Sequence, residues 1–167
     1  MHRENVSYGP PLAAELAIEP VADTAGSKLR GGSGASCWGY NQSNIVRCGE
    51  QLYALSWRDD LTLVVYRRIG PGQWAASEPL PSVPQNGNLL VDAEGQVHVI
   101  SGANASWHAV FDAQLRGYEM REHTAADSRF GAAMGADGRS CAAGGLERMA
   151  WYVLDPERDY RPLASGR

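Results

Sequence analysis

The sequence predicts an all-β chain assembled from three copies of one four-stranded antiparallel unit. The first observation is the stretch 88–118, which holds short apolar runs at 89–91, 97–100 and 108–111 and closes on Tyr118. Asp92-Ala-Glu-Gly95 separates the first two runs and Gly102-Ala-Asn-Ala the next two. Runs this short, rich in Val, Ile and aromatics and bounded by Gly, Asn and Asp, are strand signals. The second observation is that the same unit recurs at 44–74 and 130–160. The third is its spacing. Gln51, Gln96 and Arg139 stand 45 and 43 residues apart, as do Tyr66, Phe111 and Leu154, while Trp74, Tyr118 and Tyr160 stand 44 and 42 apart. A period of about 40–50 residues built of four short strands is the mark of β-propeller blades. The expected architecture is therefore a partial β-propeller of three four-stranded antiparallel blades.

In chain order, residues 1–36 hold no blade and divide into an N-terminal segment and a linker. Leu12 to Val21 fits one strand or a short helix ended by Pro20, and the Gly/Ser-rich 26–36 reads as a loop. The three-blade region spans 37–167, with blades at about 38–80, 84–124 and 127–163. In the first blade the strands are expected at 44–47, 51–56, 61–67 and 73–77, joined by turns at Cys48-Gly-Glu and Ile69-Gly-Pro-Gly72. Pro79-Leu-Pro-Ser-Val-Pro84 is an extended crossing, because proline cannot donate to a ladder. A second crossing at 124–129 leads to the third blade, which closes near Tyr160 and leaves 161–167 as a tail. Three blades do not close a ring, so the outer faces, with Val64, Val110 and Val153, are expected to be partly uncovered. Missing blades of a longer protein, or self-association, would close it.

Composition excludes several classes. Fifteen basic and 19 acidic residues are mixed along the chain for a net charge of −4, so neither nucleic acid nor an anionic membrane surface is an expected partner. No apolar run reaches bilayer length. The N-terminus has no apolar core of a signal peptide, which reads as cytoplasmic as it stands and as extracellular or periplasmic if the start is truncated. Cys37, Cys48 and Cys141 form no Cys-x-x-Cys pair and the four His have no paired spacing, so neither a metal nor a cofactor is expected. Cys141 falls on a strand expected to be buried, and His98, between Val97 and Val99, reads as a half-buried strand residue.

Cys141-Ala-Ala-Gly144-Gly145, then Trp151-Tyr-Val-Leu-Asp155-Pro156, then Tyr160 carry a double glycine, an aromatic strand, an Asp-Pro turn and a closing aromatic. In this the third unit resembles a kelch repeat. The first two depart from that pattern, with Ser56-Trp57 and Ser101-Gly102 in place of the glycine pair. The run Asn86-Gly-Asn-Leu-Leu-Val-Asp-Ala-Glu-Gly95-Gln-Val-His98-Val is more similar to the BNR repeats of sialidase-superfamily propellers, and Trp38-Gly-Tyr-Asn-Gln-Ser-Asn44 to the start of their first blade. The resemblance covers about residues 37–160 and implies a carbohydrate-active or carbohydrate-binding propeller. The Asp-box of true sialidases is absent; Asp92-x-x-Gly95 and Asp137-Gly138 keep its acid and glycine.

Propeller sites lie on one face, on the crossings into each innermost strand and the loops between second and third strands. Here those loops carry Asn44, Trp57, Arg58, Asn86, Asn88, Arg129 and Arg148. Amide and guanidinium groups beside Trp suit sugar hydroxyls and an apolar sugar face, although Asn and Gly are also ordinary turn residues. Catalytic candidates are Asp59, Asp127 and Glu147, and further candidates are Asp60, His98 and His108. A glycosidase needs two carboxylates about 5–10 Å apart across the scissile bond. A sialidase-like hydrolase or a polysaccharide lyase needs Arg against a substrate carboxylate. The sequence leaves open an enzyme on anionic oligosaccharides or polysaccharides, a non-catalytic kelch-like module binding a protein or glycan, and a structural remnant without ligand.

Overall fold

The computed structural model describes residue 19 and residues 43–58, 62–80, 87–103, 105–122, 130–144, 150–158 and 161–166. Strand is the dominant state, in three four-stranded antiparallel sheets, each a meander in which neighbours in sequence pair. The first holds β1 (Ile45–Cys48), β2 (Gln51–Trp57), β3 (Leu63–Gly70) and β4 (Gln73–Ala76). The second holds β5 (Gly87–Val91), β6 (Val97–Ala103), β7 (Ala105–Phe111) and β8 (Tyr118–Glu122). The third holds β9 (Phe130–Met134), β10 (Ser140–Gly144), β11 (Ala150–Asp155) and β12 (Arg161–Gly166).

Turn chemistry sets these registers. The β5–β6 and β9–β10 turns share one pattern, in which the amides of Gly95 and Gly138 donate to the carbonyls of Asp92 and Gly135 at 3.2 and 3.1 Å. Both glycines lie in the left-handed region, at φ 82° and 76°, which a side chain would strain. One non-glycine does the same: Leu115, at φ 61°, is buried in the core, so burial of its side chain offsets the backbone strain.

Period-two alternation then gives each sheet two faces. The second sheet lies between the others. Leu89, Val97, Val99, Ala109 and Phe111 on one face pack with Tyr53, Leu55, Leu63 and Val65 of the first sheet. On the opposite face Leu90, Ile100 and Val110 pack with Ala132 and Met134 of the third. The opening strands lie side by side, β1 beside β5 and β5 beside β9. Strand β5 is flanked on both faces, which explains why its run Gly-Asn-Leu-Leu is buried without alternation. At Gly87 an added Cβ would come 3.2 Å from Leu55 and 3.3 Å from Val99, so glycine permits this approach. The crossing after β4 also feeds the core: Leu80 is wholly buried and its amide donates to the Leu63 carbonyl at 2.8 Å. Each such buried aliphatic side chain stabilises the fold by about 1.5–3 kcal/mol.

Several local expectations are corrected. Val64 is not uncovered but wholly buried, with Ala54, on the outer face of the first sheet. On that same face the Arg68 guanidinium donates to both carboxylate oxygens of Glu19 and holds that carboxyl below its usual range. The expected loop from Gly102 to Ser106 is ladder, since Gly102 pairs with Ser106 and Ala103 with Ala105. Cys141 does lie on a strand but is exposed, because its face of the third sheet points away from the second. The expected tail is the outer strand β12: a 3-10 turn, Pro156–Arg158, follows Asp155 and delays it. Among the described residues no helix is long and apolar enough to cross a membrane.

Candidate functional site

The heads of β1 and β5 form a seam. Ser43, just before β1, accepts the Leu89 amide on its carbonyl at 2.7 Å. Its own amide donates to Asn88 Oδ1 at 3.3 Å. The Asn44 carbonyl accepts from the Leu55 amide at 2.8 Å, which continues the β1–β2 ladder past the strand. Because β2 runs antiparallel to β1, its far end, Trp57 and Arg58, lies at this same edge. The Arg58 amide donates to the Thr62 carbonyl at 2.9 Å and its side chain is exposed. One rim therefore gathers Ser43, Asn44, Arg58 and Asn88. Their roles differ: Asn44 is half-buried and Arg58 open to solvent, whereas Asn88 is wholly buried, its amide joining two sheets.

Trp57 ends β2 opposite Leu63. Asp59, Asp60, Asn86, Asp127, Arg129, Glu147 and Arg148 lie outside the described residues. No protein-family model and no curated protein matches the sequence. The site must be read from its own geometry.

That geometry contains a second polar constellation, away from the rim. His98 on β6 and His108 on β7 are wholly buried, and Asp92, just after β5, nearly so. His98 is thus not half-buried; it lies on the face that Ile100 turns toward the third sheet and is wholly buried there. His98 Nε2 lies 3.0 Å from Asp92 Oδ2, and His98 Nδ1 lies 2.9 Å from His108 Nε2. Asp92 Oδ1 accepts the Gln96 amide at 2.7 Å. Protons can be assigned along this chain. A carboxylate only accepts, so His98 carries its proton on Nε2; its Nδ1 is then an acceptor, and His108 must donate from Nε2. Burial pushes His98 below its usual pKa, and the hydrogen bond that His98 donates to Asp92 opposes that shift without cancelling it. The neutral imidazole follows.

Sequence reasoning named both histidines but did not join them. The signal was available: once the β6–β7 hairpin is carried through Gly102, Ile100 pairs with His108, which sets the two rings diagonally on one face. No group of three His, Cys, Asp or Glu among the described residues could hold a metal ion. A charge cluster around Arg139 is structural. Arg139 lies 3.2 Å from Asp137 and 3.5 Å from the buried Asp155, whose other oxygen accepts the Glu157 amide and shapes the turn into β12.

Proposed function

We propose that the three sheets are successive blades of a β-propeller and that the rim at the heads of their opening strands binds carbohydrate, with anionic sugars as the ligand class. The observation that carries this reading is the seam from Ser43 to Asn88 and Leu89, which holds the heads of β1 and β5 together and so gathers equivalent positions of successive units on one edge. Exposed Arg58 and half-buried Asn44 offer donors there. Arg129 and Arg148, at equivalent places before β9 and after β10, would add guanidinium groups to the same rim. Paired guanidinium groups bind a sugar carboxylate bidentately, and more strongly as water is excluded. Any turnover would fall to Asp59, Asp127 and Glu147 in the neighbouring loops. Closure of the ring would take further blades or a second copy.

One observation favours the non-catalytic, kelch-like reading: the Asn88 amide is spent inside the structure, which removes one sugar-facing donor from the rim. Titration with uronate- and sialate-containing oligosaccharides separates the two. The carbohydrate reading expects saturable binding that Arg58→Ala and Arg129→Ala each weaken at least tenfold, about 1.4 kcal/mol. Equal binding by all three proteins, or none by the unaltered chain, leaves only the interaction module.

A further inference from the structure

We infer that His98 and His108 form a proton-binding site that makes the junction between the second and third sheets acid-sensitive, while the junction between the first and second is not. The argument stands apart from any ligand at the rim. It begins with geometry. The two imidazole nitrogens are 2.9 Å apart, in a contact that holds one proton, and both rings are wholly buried. They lie on the face whose Leu90, Ile100 and Val110 pack against Ala132 and Met134 of the third sheet. Ser140, opposite Met134 on β10, faces the same junction; it too is wholly buried, and its hydroxyl has no hydrogen-bond partner among the described residues. Among the described residues the histidine pair and Ser140 are thus polar groups set into a seam of apolar side chains.

Proton uptake there is costly in two stages. A first added proton places positive charge on one of two rings removed from water. A second sets N–H against N–H and opens the 2.9 Å contact. Among the described residues, few charges face the pair. Asp92, bonded to His98, and Glu94 in the same turn favour the charged ring, yet burial outweighs them. On β8, Glu119 and Arg121 hold the register positions opposite Val110 and His108. On β11, Tyr152 holds the position opposite Ala142. The described residues of β9 and β10 that face the pair, Ala132, Met134 and Ser140, bring no charge.

The repeat supplies an internal control. Tyr53 and Leu55 of β2 stand where His98 and Ile100 stand on β6, and Val65, opposite Leu55, stands where His108 stands. Tyr53 and Val65 are as buried as the histidines, and the Tyr53 hydroxyl donates to the Ala113 carbonyl at 2.9 Å. The same place in the fold is therefore filled without an imidazole at the first junction.

The sign of the effect follows. A histidine whose folded pKa is depressed leaves the unfolded chain binding more protons below about pH 6.5, so stability falls as pH falls through that value. Urea unfolding of the intact chain between pH 8 and pH 5 tests this, beside a variant carrying His98→Tyr, His108→Val and Asp92→Asn, the last so that no buried carboxylate loses its donor. The unaltered chain should lose up to about tenfold in folding constant per pH unit below pH 6.5 for each proton taken up on unfolding, and the variant much less. An identical pH profile in both overturns the inference. Nitrogen-15 spectra of histidine-labelled, unaltered protein give a second reading that needs no variant. Both rings should be Nε2-protonated at pH 7.5, and acid should shift third-sheet amides together with them while first-sheet amides stay. Two rings titrating like free histidine, with no change in the third sheet, would contradict it.

Discussion

Asn88 and Gly95, both residue types common in turns, are held here for different reasons. Asn at the head of β5 looks like a ligand donor, but its carboxamide oxygen accepts the Ser43 amide out of reach of solvent. Asn88→Ala should cost about 1–3 kcal/mol by chemical denaturation, the penalty of a buried donor left unmade. Unchanged stability would return Asn88 to the ligand-facing set. At Gly95 the nearest atom to an added Cβ is 3.9 Å away, so space is not the constraint. Gly95→Ala should then cost only the left-handed strain, about 1 kcal/mol, and a larger loss would mean that the turn itself rearranges.

At the scale of elements, the crossing after β4 behaves as part of the core. Leu80 bridges Leu63 and fills the space between the first two sheets, so Leu80→Ala should cost about 2–5 kcal/mol in thermal or urea unfolding. A surface loop would lose less than about 0.5 kcal/mol. Much of the element pattern was legible in the sequence, because strands leave a period of two and their turns need Gly at left-handed positions. Gln51 opens β2 and Gly72 turns β3 into β4 as the spacing requires. What was not legible depends on neighbours in space. Cys141 sits on a strand as apolar as its equivalents, but on the face opposite that of Ala132 and Met134, where it is exposed. The delay of β12 came from the Asp155 turn, whose capping by the carboxylate no spacing rule reports. At the rim, residue types were readable, but burial was not: Asn44 and Asn88 are alike in sequence and unlike in exposure.

For the whole molecule the central claim is serial stacking: each face of the second sheet meets a different neighbour. The apolar cluster of the first junction contains Leu55, Leu63, Leu89 and Val99, and that of the second contains Leu90, Ile100 and Met134. Adjacent residues Leu89 and Leu90 thus point into different junctions, as the strand period dictates. This order is also what would bring the strand heads to one rim and leave the histidine pair inside a single junction. Methyl–methyl Overhauser contacts in protein labelled at Ile, Leu, Val and Met test it most directly. The account predicts contacts from Leu89 and Val99 to Leu55 and Leu63, from Leu90 and Ile100 to Met134, and none between the first and third sheets. Contacts of Leu89 and Leu90 with one and the same sheet, or of Leu55 with Met134, would contradict it.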